Sequence, residues 1–359
     1  MKGSLLLYPC REKEHIGNIG KIVKILEKWH TLLCMSFFFT TFAAAKMKIA
    51  LTTKLPAEGF RRLEGHTLYA PLEEAEVLVS TFDYKVSGEM IEGMPNLRLI
   101  ANFGAGYNNI DLEACRERGI RVTNTPQPVI EPTAELAFAL MIDVARRVSE
   151  FDRAVRSQLS EVSSFEGFGV MRNLSHSLYG KTLGILGMGR IGQALARRAV
   201  ASGMRIIYHN RKPLTNERMS ELVNEGVRAQ YVDFQTLLQD SDYLSLNLPY
   251  TPEVHHIIGK PELGMMKRSA FLINTARGAH VDEAALVEAL KSGIIAGAAL
   301  DVYEFEPQIS PELLKLPNIV LSPHTGTGTW EGRIAMCENV VDNIIAFVEN
   351  RPKDMNIVV

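Results

Sequence analysis

GKTLGILGMGRIG, residues 180–192, reads as a strand, a tight turn and the opening of a helix, in that order. Thr182-Leu186 is an apolar β-type run, and Gly187-Met188-Gly189-Arg190-Ile191-Gly192 is a GxGxxG turn. RIGQALARRAVASG then continues with helical spacing. A strand feeding a helix through three such glycines gives each a separate task. Gly187 permits the tight turn, Gly189 lets the backbone approach a pyrophosphate, and Gly192 lets helix and strand pack closely. Arg190 and Ile191 open the helix, whose N-terminus offers free N–H groups and partial positive charge to the same anion. A glycine turn without a ligand is the plainer alternative. Strand and helix in register favour a dinucleotide.

The next strand end bears on which dinucleotide. About twenty residues past the glycines an NAD site usually carries Asp or Glu for the ribose 2′-OH. This chain has Tyr208-His209-Asn210-Arg211-Lys212 there. Asn210 withholds the negative charge that would repel a 2′-phosphate, and Arg211 can pair with that phosphate bidentately. NADP is expected ahead of NAD, which stays open, as does a merely solvated basic loop.

Outward from this turn, apolar runs alternate with helical patterns on both sides. Upstream, Lys48-Leu51, Glu76-Ser80, Leu97-Phe103 and Ile120-Thr123 read as strands, with helices over Val86-Gly93 and Leu112-Arg118. One long helix is expected from Pro132 or Thr133 to about Ser157, carrying Glu135 in its first turn and Leu136, Leu140 and Val144 on one face. The stretch Leu159-Ser177 reads as a loop. Downstream, Arg205-His209, Tyr243-Leu248, Phe271-Asn274, Ile295-Leu300 and Asn318-Leu321 read as strands. Helices are expected near Pro261-Met266 and over Asp282-Ser292 and Thr329-Glu349. The fold class that follows is α/β, with two doubly wound parallel sheets: a Rossmann cofactor domain and a flavodoxin-like partner across a cleft.

Arg277, Glu306 and His324 each stand just past a separate apolar strand. In an open parallel sheet the carboxyl ends of the strands line one crevice, so the three are expected beside the dinucleotide. Arg277 presents a planar fork of donors suited to a carboxylate and a neighbouring carbonyl oxygen, with a strand-capping surface arginine as the plain alternative. Ala276 precedes it and is assigned to the cofactor side. His324, after Leu321-Ser322-Pro323, has the chemistry of a general acid, although a lone histidine is more often structural. Glu306 would hydrogen-bond that imidazole and favour its protonated form; Glu304 competes for the role. Asn102-Phe103-Gly104-Ala105-Gly106-Tyr107 ends a strand of the first series, and its backbone N–H groups could nest a substrate carboxylate. A cation, a carboxylate and an imidazole beside a dinucleotide suit hydride transfer to a small keto acid.

Composition narrows the classes. A chain of 359 residues can hold two domains, and a formal charge of −2 gives no strong field for nucleic acid or an anionic membrane. Cys10, Cys34, Cys115 and Cys337 are scattered, which argues against a disulfide framework or a zinc site. His255-His256 would point to opposite faces of a strand, so they read as surface histidines and no metal is expected. Residues 1–46 stand apart. Lys21 to Trp29 is basic and amphipathic, and Thr31 to Ala45 (TLLCMSFFFTTFAAA) is uncharged and apolar, shorter than a spanning helix but similar to a signal-peptide core. MKIALTTKLP begins a clean first strand at Met47, which is taken as the start of the folded chain, and the expected location is cytoplasmic.

Taken together, NFGAGYNNID (102–111), TAELAFALMIDVARR (133–147), GKTLGILGMGRIG (180–192), LINTARGAHVDEAAL (272–286), ALDVYEFEP (299–307) and SPHTGTGT (322–329) resemble the D-isomer-specific 2-hydroxyacid dehydrogenase family. The resemblance runs from Met47 to the C-terminus. It implies Arg277, Glu306 and His324 as the catalytic set, the Ala105 and Gly106 amides on the substrate carboxylate, and Asp301 near the nicotinamide carboxamide. It also implies a homodimer built through the cofactor domains. Residues 47–148 with 325–359 would form the substrate domain and 149–324 the cofactor domain, the last helix returning to the first. The NRK segment (210–212) resembles the NADPH-preferring glyoxylate/hydroxypyruvate reductase branch. Two stretches depart from the family pattern: the loop after the long helix, RSQLSEVSSFEGFGVMRN, lacks a tryptophan, and SPHTGTGT with Trp330 replaces SPHxGSAT. The resemblance implies that both lie where substrate size is selected. A reductase is the leading expectation, and a dinucleotide-sensing protein like the family's corepressor branch is the alternative. Phosphoglycerate dehydrogenase is disfavoured because no regulatory domain follows the last helix, and formate dehydrogenase because that branch carries glutamine where Glu306 stands.

Overall fold

The alternating apolar runs form two separate sheets in which every strand pairing is parallel. The computed structural model describes residues 46–159 and 169–359; the segments Lys21 to Trp29 and Thr31 to Ala45 lie outside the described residues. The first sheet holds β1 (Lys48–Leu51), β2 (Thr67–Leu68), β3 (Val77–Thr81), β4 (Leu99–Phe103) and β5 (Arg121–Thr123), in the order β2-β1-β3-β4-β5. Helices α1 (Gly88–Glu92) and α2 (Leu112–Glu117) link its strands. Every residue of β3 and β4 is buried, as central parallel strands covered on both faces require.

The second sheet contains β6 (Thr182–Leu186), β7 (Arg205–His209), β8 (Ala229–Tyr231), β9 (Tyr243–Leu246), β10 (Phe271–Asn274), β11 (Gly297–Leu300) and β12 (Ile319–Leu321). Their order is β12-β11-β10-β9-β6-β7-β8. The chain therefore moves outward from β6 on one side, then returns to β9 on the other. The crevice opens at that reversal, and the glycine turn sits at the end of β6. The first sheet reverses in the same way between β1 and β3.

The predicted single helix over 132–157 is two helices. They are α3 (Ile130–Arg146) and α4 (Val148–Leu159), separated by Arg147 in the left-handed region at φ 58°. Local side chains hold the break. Asp143 accepts the N–H of Ser149 at 2.7 Å and also its hydroxyl, which caps α4, while Arg147 pairs with Glu150. Helical periodicity alone does not register such a break, because the apolar stripe continues through it. Pro132 lies inside the first turn, where it displaces no helical hydrogen bond, so α3 begins earlier than expected.

Residues 213–241, not assigned from the sequence, contain two further helices and the edge strand β8. Helix α5 (Arg190–Ala201) is followed by α6 (Asn216–Asn224) and α7 (Phe234–Asp240), capped by Thr215 and Asp233. The remaining helices are α8 (Lys260–Met265), α9 (Glu283–Lys291) and α10 (Trp330–Val348). Helix α3 buries Ala134, Ala137, Leu140, Met141 and Val144 in the core of the second sheet, although it precedes residue 148. Helix α10 instead buries Met336, Val340, Val341 and Ile344 against β1, β3 and β4. The C-terminal tail follows it there, with Val122 N–H bonded to Val359 O at 2.8 Å. Among the described residues no helix is long and apolar enough to cross a membrane.

Candidate active site

At the glycine turn, Gly187 has φ 99°, and a Cβ on it would come 2.7 Å from the Asn247 carbonyl carbon. Only glycine serves there. Gly189 caps α5, and a Cβ on it would meet no atom within 4 Å, so this face of the turn is open to a pyrophosphate. Arg190 opens α5, exposed; Ile191 is half-buried and Gly192 buried behind it. The residues present fit a dinucleotide.

Asn210 does more than withhold charge. Its Oδ1 accepts the Met188 N–H at 2.7 Å, tying the end of β7 to the turn. Arg211 is exposed. Glu253, which the sequence did not single out, lies near enough to feel it: the Glu253 carboxyl is held below the usual range chiefly by the Thr251 hydroxyl, with a smaller share from Arg211.

Arg277, Glu306 and His324 do converge. His324 Nδ1 lies 2.7 Å from Glu306 Oε2, and Glu306 Oε1 accepts the Tyr303 N–H at 2.9 Å. Burial would raise the Glu306 carboxyl, but the hydrogen bond and charge of His324, the Tyr303 N–H and Arg277 together take it below the usual value. Burial lowers the Arg277 guanidinium, opposed by the attraction of Glu306. Gly278 makes the approach possible, since any Cβ there would overlap the backbone of Tyr303 and Glu304. It brings the loop of Arg277 against the loop of Glu306. His324 is itself left-handed at φ 52°, with its N–H bonded to Asp301 O at 2.8 Å.

Glu304 takes another partner, His256, with Nε2 to Oε1 at 2.6 Å, so the competition with Glu306 is decided by geometry. Asp301 is almost wholly buried, and its carboxylate is committed to the His324 loop. Oδ1 accepts Ser322 Oγ at 2.6 Å and Thr325 N at 2.8 Å, and Oδ2 accepts Gly326 N at 2.8 Å. Ala276 is buried, and its carbonyl accepts Arg277 Nη1 at 2.6 Å.

The first sheet meets this group directly. A Cβ on Gly106 would overlap the Arg277 guanidinium, so the two are in contact. Asn102 and Asn124 amides bind the carbonyls of Gly106 and Ala105, each at 2.8 Å. Among the described residues the N–H groups of Ala105 and Gly106 make no hydrogen bond, as an anion nest requires. Phe82, at the end of β3, lies against the His324 ring, with centroids 4.4 Å apart. Phe82 carried no sequence signal beyond its strand end.

His280 was also missed. It is fully buried behind Arg277, and neither ring nitrogen makes a well-formed hydrogen bond, although the carbonyls of Pro249 and Arg277 lie nearby. Burial, with a contribution from the Arg277 charge, pushes its pKa down to about 4.

The sequence model of the D-isomer specific 2-hydroxyacid dehydrogenase NAD binding domain matches residues 138–326. A glyoxylate reductase from Thermococcus litoralis is 46% identical over 322 residues, covering 85% of this chain and 94% of the relative. The chain belongs to the D-isomer specific 2-hydroxyacid dehydrogenase family. The crystal structure of a glyoxylate reductase from Paecilomyes thermophila matches this family member with a TM-score of 0.75 and 36% identity, covering 88% of this chain and 98% of that one. An NADPH-dependent glyoxylate/hydroxypyruvate reductase from Sinorhizobium meliloti, solved with NADP and malonate, gives 0.73 and 32%, covering 84% and 94%. As a 2-hydroxyacid dehydrogenase the protein is an oxidoreductase, and its second sheet is the nicotinamide-dinucleotide domain.

Proposed function

We propose that this chain reduces a small 2-keto acid of the glyoxylate or hydroxypyruvate type to the D-2-hydroxy acid, with NADPH as the preferred reductant. One observation carries the reading. The Arg277 guanidinium touches Gly106 of one lobe while the His324–Glu306 pair stands beneath Phe82, so cation, nest and imidazole share one cleft.

A reduced nicotinamide dinucleotide, its pyrophosphate held by Gly189 and the start of α5, would supply the hydride that C2 of the keto acid accepts. The Ala105 and Gly106 amides and the Arg277 fork hold the substrate carboxylate, and Arg277 also faces the carbonyl oxygen. As that oxygen gains negative charge the guanidinium stabilises it, and His324 gives it a proton. Glu306, bonded to Nδ1, fixes the imidazole so that Nε2 is the nitrogen left for transfer. Phe82 packs against one face of the ring. Asp301 acts on the same step from behind by holding the His324 loop.

Preference for NADPH rests on Asn210 and Arg211, and the Sinorhizobium meliloti relative was solved with NADP. The division into a cofactor lobe and a substrate lobe, a homodimer joined through the cofactor lobes and a cytoplasmic location belong to the same proposal. A panel of 2-keto acids assayed with NADPH and NADH side by side tests it. Turnover of glyoxylate or hydroxypyruvate with NADPH ahead of NADH is expected; no reduction of any short keto acid with either cofactor would sink the reading.

A further inference from the structure

We propose that His255, His256 and Glu304 form a binding site for a borderline divalent cation of the zinc or nickel class. The expectation that adjacent histidines point apart assumes a strand. His256 is instead left-handed at φ 50°, with its N–H bonded to Ala279 O at 2.8 Å. The two imidazoles consequently lie on one side, with centroids 4.0 Å apart and planes 20° from parallel. Glu304 arrives from the loop after β11 and places Oε1 2.6 Å from His256 Nε2. Donor atoms of all three residues lie within 4.8 Å of one another. Two imidazoles and one carboxylate suit zinc or nickel; magnesium and calcium call for oxygen ligands.

The charges nearby point the same way. Glu283 and Glu304 are locked together, with Glu304 N–H bonded to Glu283 Oε1 at 2.6 Å and Glu283 N–H to Glu304 Oε2 at 3.4 Å. Burial raises the Glu283 carboxyl, the Glu304 N–H partly offsets that, and the Glu304 and Glu306 charges raise it again. A cation held by Glu304 would offset that excess of carboxylates. Binding asks His255, the exposed member of the pair, to turn its ring until the two imidazole nitrogens converge. A cation between His256 Nε2 and Glu304 Oε1 would take the place of their 2.6 Å hydrogen bond. The contact that the His255 ring leaves on turning is a long, exposed one, 3.4 Å from Nδ1 to the Tyr250 hydroxyl. Water would complete the coordination from the exposed His255 side.

The site lies outside the reduction chemistry, so its test is independent of the keto acid. The full chain, freed of metal with a chelator, is titrated calorimetrically with zinc chloride beside His255→Ala and Glu304→Gln. One zinc per chain is expected, bound about ten-fold or more weakly by each variant. His255→Ala removes an exposed side chain, and its metal-free melting temperature serves as the control for folding. Equal affinity in all three proteins, or no wild-type binding, would reduce the cluster to a plain His256–Glu304 ion pair and overturn the assignment.

Discussion

His324 Nε2 makes no hydrogen bond among the described residues, while Nδ1 is fixed by Glu306. Removing the ring in His324→Ala takes away the proposed proton donor, together with its Glu306 bond and Phe82 contact, and touches no part of the glycine turn. Turnover should fall by about 10²- to 10⁴-fold with NADPH affinity nearly unchanged, read by steady-state kinetics and fluorescence titration. Cofactor choice is argued at the same scale. Asn210→Asp keeps the acceptor that holds the Met188 N–H, so the turn survives and only the charge changes. The NADPH-to-NADH ratio of kcat/KM should move toward NADH; an unmoved ratio would remove Asn210 as a reader of the 2′-position. His280 gives a pH signature. Its folded pKa of about 4 lies below the ordinary histidine value of 6.5, so the unfolded chain binds the proton more readily. The stability that the neutral ring permits is intact above pH 6.5 and declines as the pH falls toward 4. His280→Leu should flatten that decline, by up to about 3 kcal/mol at its acid end, in urea unfolding measured across the range.

Elements explain why some of this was legible and some was not. The strand-turn-helix at 180–192 was readable because each part has its own period and the glycines have no other use. The caps Thr215 and Asp233 were equally readable signals for α6 and α7, yet neither helix was assigned between β7 and β9. The break at Arg147 was not readable from the apolar stripe, because contacts of Asp143 with Ser149 make it and the stripe continues on both sides. Asp143→Ala should cost about 1 kcal/mol in urea unfolding, as loss of a helix cap does. No loss would mean that α4 is held by something other than its cap.

At the scale of the whole molecule, the proposed chemistry needs two lobes pressed together. Gly106 and Phe82 come from the first sheet, and Arg277, Glu306 and His324 from loops of the second. Gly106→Ala sets a methyl group against the guanidinium. It should lower kcat/KM for the keto acid on the order of 10²-fold while the melting temperature and NADPH affinity stay near wild type. A normal kcat/KM would show that the lobes do not close at this point during turnover.

Residue order alone determined the α/β class, the dinucleotide turn, the strand ends that carry Arg277, Glu306 and His324, and the family. These follow from local periods and from residue types whose chemistry does not depend on distant neighbours. Only the tertiary structure decided that Glu306 rather than Glu304 meets His324, that His255 and His256 lie on one side, and that Phe82 packs against the imidazole. Each of those outcomes depends on a backbone angle or on a contact between segments far apart in the chain. Spacing along the sequence carries no record of either.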